Sequence, residues 1–310
     1  MTAPPAAQRE LYGSVQVFEP HKASLPPLGP YRREFWRRRR FAYELSRTTQ
    51  KAANFDAKLG SVWLVLNPLL LATVYFLLIE VISQSSSGLA GFLHIVVGLF
   101  TWYFISGCIS GGATSVTAGG KLILNQSFPR ALLPLSAVIS AFLRFLPTIP
   151  VYLFMYGIGL LVVPSTATGA HHLARPSLAL VWYPLIIALL AISGFGLAML
   201  FATMTVYFRD TQKFLAYMLR MWLYLSPVLF TVEALKAKMD HFHVAGVPLG
   251  NLLIYGNPLG PTLGMMGSIM IKGEPPSKTL VLAAIAWATV LLFGGGWVFI
   301  SRERDFAVRL

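Results

Sequence analysis

The sequence of 310 residues has one cysteine, Cys108, and only twelve acidic residues against twenty-five lysines and arginines. A single cysteine excludes an intrachain disulfide and any metal centre built from cysteines. Five of the twelve acids fall in the first sixty positions, which leaves the remainder of the chain poor in carboxylates. Enzymes that transfer sugars or cut lipids use paired carboxylates or His/Asp clusters, and neither pattern occurs. His171 and His172 are adjacent and His241 and His243 are two apart. Neither pair has carboxylates at metal-ligand spacing, so both read as solvated loop histidines. Ser193-Gly194-Phe195-Gly196 lies inside an apolar run and reads as helix packing, not as a nucleophile turn. Gly120-Lys121 fails the Gly-x4-Gly-Lys-Ser/Thr phosphate loop at both ends, with Ser115 six before the lysine and Leu122 after it. No catalytic residue, metal site or cofactor is expected in this chain, and any ATP and Mg would be bound by another one.

Apolar sequence is abundant: 55% of residues are hydrophobic and the mean hydropathy is +0.64. Six runs, at 62–82, 92–117, 131–163, 178–204, 214–231 and 279–300, reach or approach the ~20 residues an α-helix needs to cross a ~30 Å hydrocarbon core. The expected fold is an all-α integral membrane protein with six transmembrane helices. Lysine and arginine set its orientation. Eighteen of them lie before the first run, in the second and fourth connections and in the tail, against five in the other connections. Both termini are therefore expected in the cytoplasm. The net charge of +13 reads as attraction to anionic headgroups, at ~1 kcal/mol per basic residue, and not as nucleic-acid binding.

Residues 1–30, rich in proline and alanine, predict a disordered cytoplasmic tail without a cleaved leader. Over 31–60, Phe35, Trp36, Phe41, Leu45, Phe55 and Leu59 recur at near-helical spacing between arginine clusters. That pattern predicts an amphipathic helix in the membrane interface. Residues 61–310 form the six-span domain. Its connection 232–278 holds two apolar pieces too interrupted to span, which predicts a re-entrant or surface-lying helical pair.

Two arginines fall inside apolar runs. Arg144 precedes Pro147 and Pro150, which free the carbonyls of Leu143 and Leu146. A break there would let Arg144 face protein, water or those carbonyls, because a charge at mid-bilayer costs at least ~2.5 kcal/mol. Arg220 poses the same problem. Pairing inside the bundle and direct contact with an anionic substrate both remain open for the two. Trp102, Tyr103, Tyr152, Tyr156 and Trp222 offer ring faces with polar tips, which suits a sugar pathway. An interfacial aromatic belt would look the same.

Short strings recur in order: Leu59-Gly60-Ser61-Val62-Trp63, Asn67-Pro68-Leu69-Leu70, Lys121-Leu122-Ile123, Phe128-Pro129-Arg130, Leu133-Pro134-Leu135, Phe208-Arg209-Asp210, Ser226-Pro227-Val228 and Asn257-Pro258. On a six-span frame with a long fifth connection, they resemble the ABC-2 type permeases of the O-antigen, teichoic-acid and actinobacterial galactan exporter group. The resemblance covers about residues 31–310. It implies a multi-pass subunit of a bacterial cytoplasmic membrane, a homodimer, and two copies of a separate ATPase. It also implies a central channel for a polyprenyl-diphosphate-linked polysaccharide. By the same resemblance the coupling segment 118–130 would seat in the ATPase through Lys121, Leu122, Asn125, Phe128, Pro129 and Arg130, braced by Arg209 and Asp210. The channel would draw on Trp102, Tyr103, Arg144, Tyr152, Tyr156, Arg220 and Trp222. Arg37, Arg38, Arg39, Arg40, Lys51 and Lys58 would recruit the lipid diphosphate. The chain departs from the group before its first span, where Thr48-Thr49-Gln50-Lys51 replaces an Arg-Tyr-Lys string. A permease for a drug or small lipid shares the frame. A polytopic glycosyltransferase would need carboxylate or histidine clusters that the sequence lacks.

Overall fold

The computed structural model describes residues 27–54, 62–83, 88–162, 177–244 and 246–309. Most of the expected tail, Lys58 and the pair His171–His172 lie outside these residues. Twelve further α-helices follow α1 (Leu28–Arg37) and α2 (Arg39–Asn54) among the described residues. They are α3 (Val62–Ser83), α4 (Gly88–Ala118), α5 (Gly120–Asn125), α6 (Leu132–Phe145), α7 (Thr148–Val162), α8 (Tyr183–Tyr207) and α9 (Thr211–Tyr224). After these come α10 (Val232–Met239), α11 (Leu249–Asn251), α12 (Gly260–Gly267), α13 (Lys278–Arg302) and α14 (Phe306–Arg309). The strands β1 (His243–Val244) and β2 (Val247–Pro248) pair antiparallel between α10 and α11.

Among the described residues, five helical stretches are long and apolar enough to cross a membrane: Val62–Val81, Gly88–Ala118, Leu132–Val162, Leu178–Tyr207 and Lys278–Arg309. The protein is thus an all-α, multi-pass membrane protein. The third stretch is broken, as the prolines predict: α6 stops at Phe145 and α7 starts at Thr148. The Thr148 hydroxyl donates to the Phe145 carbonyl at 2.7 Å and takes up one acceptor at the break. The fifth apolar run is not one helix through 231. α9 has 14 residues, about 21 Å at 1.5 Å per residue, and ends where Ser226 turns its hydroxyl back to the Trp222 carbonyl at 2.8 Å. The expected interfacial helix is likewise two helices, meeting at Arg38. α2 packs along α6 with Ala42 and Ser46 buried, so it flanks the bundle.

α4 lies at the centre. Its residues from Leu93 to Phe100 are buried without a gap, and it packs on α3, α6, α8 and α12. Without a hydrophobic force between helices in lipid, close approach depends on small residues. Gly112 of α4 meets Ala198 of α8 so closely that a side chain would collide with it. α8 and α13 cross at Gly196 and Gly295, where an added Cβ on either would strike backbone, the Leu291 and Gly196 carbonyls respectively. A second core at one end joins Val116, Ile123, Leu133, Val206, Phe299 and Phe306. α12 is buried from Gly260 to Met266, held among α4, α8 and α13.

Gly295→Val is expected to lower the melting temperature of the purified protein strongly, because backbone cannot yield as side chains do. The loss should be at least the ~1–3 kcal/mol of ordinary overpacking. Gly294→Val, beside it but with nothing within 4 Å, should melt as the parent does in a detergent thermal-shift assay.

Candidate functional site

Between α3, α4 and the α6–α7 break lies a cleft of about 260 Å³. Asn67 of α3, Tyr103, Ser106 and Ser110 of α4, and Arg144 and Thr148 contribute its polar lining. The α4 contribution is a face, because Tyr103, Ser106, Ser110, Thr114 and Thr117 recur every three or four residues. All five are exposed or half-buried, whereas Ile105, Cys108, Ile109 and Ala113 between them are fully buried. The Ser106, Thr114 and Thr117 hydroxyls bond back to carbonyls of their own helix. Gly107 and Gly111 on the same side bring α6 close, with Ala137 and Ala141 as neighbours. Arg144 turns its Nε to the Ser140 carbonyl at 3.3 Å and not to Leu143. The same carbonyl takes Gln50 Nε2 of α2 at 2.8 Å, so the flanking helix is tied to the rim of the cleft.

Of the residues expected in a channel, the cleft unites Tyr103 and Arg144. Trp102 is buried and meets Trp222 edge-on at 6.2 Å. Trp222 Nε1 donates to Asn257 Oδ1 at 2.8 Å, and Asn257 Nδ2 donates to Ser226 Oγ at 2.8 Å. The two proline strings, Ser226-Pro227 and Asn257-Pro258, therefore meet in one network that pins the segment between α11 and α12 to α9. Tyr152 and Tyr156 stack at 6.1 Å inside the bundle. Arg220 is exposed on α9. There Tyr224 pairs its hydroxyl with that of Tyr75 at 3.1 Å, within electrostatic reach of Tyr103 and Arg220. Tyr75 and the serine–threonine face of α4 escaped the sequence reading. For the α4 face, the spacing of three and four from Tyr103 was the available clue, but serines and glycines there also fit simple helix packing; Tyr75, on another helix, had no such local signal.

At the end of the bundle near α5, Lys121 and Asn125 are exposed, and so is Leu124, at 65%. Leu122 is half-buried and Ile123 faces the core. Phe128 is not at the tip. It packs on Phe41 of α2 with ring centroids 5.4 Å apart, and Arg38 reaches the Ser127 carbonyl at 3.0 Å. Arg130 is clamped to the C-terminal turn: its backbone N–H donates to Glu303 Oε1 at 2.6 Å and its guanidinium to the Glu303 carbonyl. Burial pulls the Arg130 guanidinium below its ordinary pKa, against the holding charge of Glu303. Burial pushes the Tyr31 phenol of α1 far up, and the Glu303 charge beside it acts the same way. Asp210 faces solvent and pairs with Lys213 at 3.8 Å.

The basic cluster of α1 and α2 is partly occupied. Arg37 and Arg38 both bond Glu34, and the Arg37 hydrogen bond, ahead of that from Arg38, holds the Glu34 carboxyl below its usual range. Arg39 stacks over Trp36 at 4.4 Å. Arg40 and Lys51 are exposed and form no ion pair among the described residues.

These features define a multi-pass helical membrane protein with a polar intramembrane cleft and a braced end that carries a short projecting helix. The chain belongs to the ABC-2 type transporter family, whose description matches residues 42–243. It is similar to an O-antigen export system permease protein RfbA of Klebsiella pneumoniae, 29% identical over 204 residues, 64% of this chain and 71% of that one. It is also similar to the protein of the same name from Myxococcus xanthus, 26% identical over 275 residues, 89% and 97% of the two chains.

Arg130→Ala is expected to remove the guanidinium bond to the Glu303 carbonyl and the positive charge beside the buried Glu303 carboxyl, while the backbone N–H bond to that carboxyl stays, a loss of ~1–3 kcal/mol. The purified protein should melt earlier and be cut faster by protease near α14. Leu124→Ala, on the exposed tip, should change neither.

Proposed function

We propose that this chain is the membrane-spanning subunit of an exporter that carries a polyprenyl-diphosphate-linked polysaccharide across the cytoplasmic membrane. It would work as a homodimer with two copies of a separate ATPase, which binds ATP and Mg. The observation that carries this reading is the polar face of α4. Hydroxyls from Tyr103 to Thr117, with Asn67 and Arg144 beside them, form a costly surface to present to lipid. They suit a hydrated path for a hydroxyl-rich polymer. The O-antigen export names of the relatives favour a polysaccharide over a drug or small lipid.

The frame supports the same reading. α1, the Arg130 segment and the Glu303 turn share one end of the molecule, which supports an even number of crossings between the first and last described helices. Five long stretches then need a sixth. α9 with the turn to Phe230 supplies it, running from Arg209 to the Ser226–Asn257 network. The basic end is the cytoplasmic one. There Lys121, Leu122, Leu124 and Asn125 at the tip of α5 form the ATPase contact, while Phe128, Pro129 and Arg130 fix that tip to α2 and α13. Arg209 and Asp210 flank the same face. Arg40 and Lys51 remain to draw the lipid diphosphate to the cleft, and Arg144 meets it at the rim.

ATPase activity of the purified complex should respond to lipid-linked polymer. Leu124→Asp should abolish that response and co-purification of the ATPase, with the melting temperature kept. Ser110→Trp should leave the complex assembled but cut polymer export in vesicles on the order of tenfold or more, ~1.4 kcal/mol per decade. A subunit that binds no ATPase, or a Ser110→Trp variant that exports normally, contradicts the reading.

A further inference from the structure

A second polar cavity, of about 330 Å³, opens at the end of the bundle where α4 and α8 finish and α9 begins. Its lining is Thr117, Thr205, Val206, Arg209, Gln212 and Arg309. Two guanidiniums, one amide and two hydroxyls thus converge, with no carboxylate among the lining residues. The volume lies at the small end of the ~300–1,000 Å³ typical of ligand clefts. Arg209 forms no ion pair among the described residues, because the neighbouring Asp210 turns outward to Lys213. Arg309 is held in place by stacking: its guanidinium lies 4.1 Å over the Tyr207 ring. That ring is fixed in turn by the Tyr207 hydroxyl bonding Asp305 at 2.8 Å and by Arg302 at 5.6 Å. The start of α9 adds to the positive field, since no side chain caps it and a helix N-terminus carries about half a positive charge.

We infer that the Arg209–Arg309 cavity is a binding site for a lipid phosphate headgroup of the cytoplasmic leaflet. Forked guanidiniums match phosphate oxygens in pairs, and the Gln212 amide offers a further donor, while the Thr117 and Thr205 hydroxyls donate to carbonyls of their own helices. Basic pockets between helices on the cytoplasmic side are the usual place for such headgroups. Two sources share this chemistry, an anionic phospholipid of the leaflet and the diphosphate of a lipid-linked substrate. Either one, seated between α4, α9 and the C-terminal turn, would tie the polar face of α4 to the coupling end of the subunit. The inference rests on that end being cytoplasmic, as read above, but not on what is exported.

The test is native mass spectrometry of the delipidated full-length protein titrated with phosphatidylglycerol, with phosphatidylcholine of the same chains, and with farnesyl diphosphate. The parent should hold phosphatidylglycerol or farnesyl diphosphate at least tenfold more tightly than phosphatidylcholine. R209Q/R309Q should erase that preference, and the milder Gln212→Glu, which puts a like charge in the cavity, should weaken it. Lys213→Gln, outside the cavity, should keep it. A loss confined to phosphatidylglycerol assigns the site to leaflet lipid, and one confined to farnesyl diphosphate assigns it to substrate. Variants that bind both probes as the parent does overturn the inference. The readout needs neither ATPase nor export, so a failed export assay with intact headgroup binding would count against the proposed function alone.

Discussion

Hydrocarbon offers no hydrogen bonds, so each place where this chain leaves the helix must find its own partners. The structure depends on how that demand is met. At the α6–α7 break, Thr148 covers the Phe145 carbonyl and Arg144 turns back to Ser140. At the end of α9, Ser226 and Asn257 exchange bonds with Trp222 and with the start of the next segment, where the Leu259 N–H meets Asn257 Oδ1 at 3.0 Å. At the opposite end, Arg130 and Glu303 close the loop before α6 onto the last turn of the chain. Each satisfied break is also a junction between elements that would otherwise slide freely past one another in lipid.

That arrangement divides the molecule into parts with different duties. Glycine contacts at Gly112, Gly196 and Gly295 lock α4, α8 and α13 into a close-packed frame. On the free side of α4 the same helix carries its hydroxyl face into the cleft. The tilted Phe41–Phe128 ring contact and the Arg38–Ser127 bond join α1, α2 and the loop behind α5, while Gln50 ties α2 to the carbonyl that holds Arg144. A push on the tip of α5 therefore has a continuous packed route to the rim of the cleft. In the proposed exporter, that route is how events in an ATPase would be felt where the substrate passes.

Much of this was legible in the sequence, and the limits have physical reasons. Length and hydropathy reveal the long helices, and the prolines after Arg144 mark the break. The short strings that carry the family resemblance prove to be junctions: Ser226-Pro227 with Asn257-Pro258, and Phe128-Pro129-Arg130 with Glu303. Their partners could not be read, because they lie thirty or more positions away and no local pattern announces them. Hydropathy carried the fifth run through Ser226, where a back-bonded hydroxyl ends the helix. Trp222 read as a substrate contact because an intramembrane indole beside an arginine suits sugar stacking; the same indole N–H serves equally well as a brace for Asn257. The polar face of α4 was hidden by its composition, since serine, threonine and glycine serve close packing and water-lined surfaces alike. Only the burial of Ile105, Cys108 and Ile109 opposite them distinguishes the two uses.

The central claim is that one face of α4 meets water inside the membrane. Cys108, the sole cysteine, is buried on the other face, so a Cys108→Ala background permits single cysteines along the helix. The decisive measurement is the rate at which a membrane-impermeant maleimide labels cysteines at 103, 106, 110 and 114, and at 105, 109 and 113, in the assembled complex in nanodiscs. The account predicts fast labelling of the first set, slowed when lipid-linked polymer is added, and none of the second. Equal protection of both sets, with or without polymer, would show that the α4 hydroxyls face lipid or protein and would contradict it.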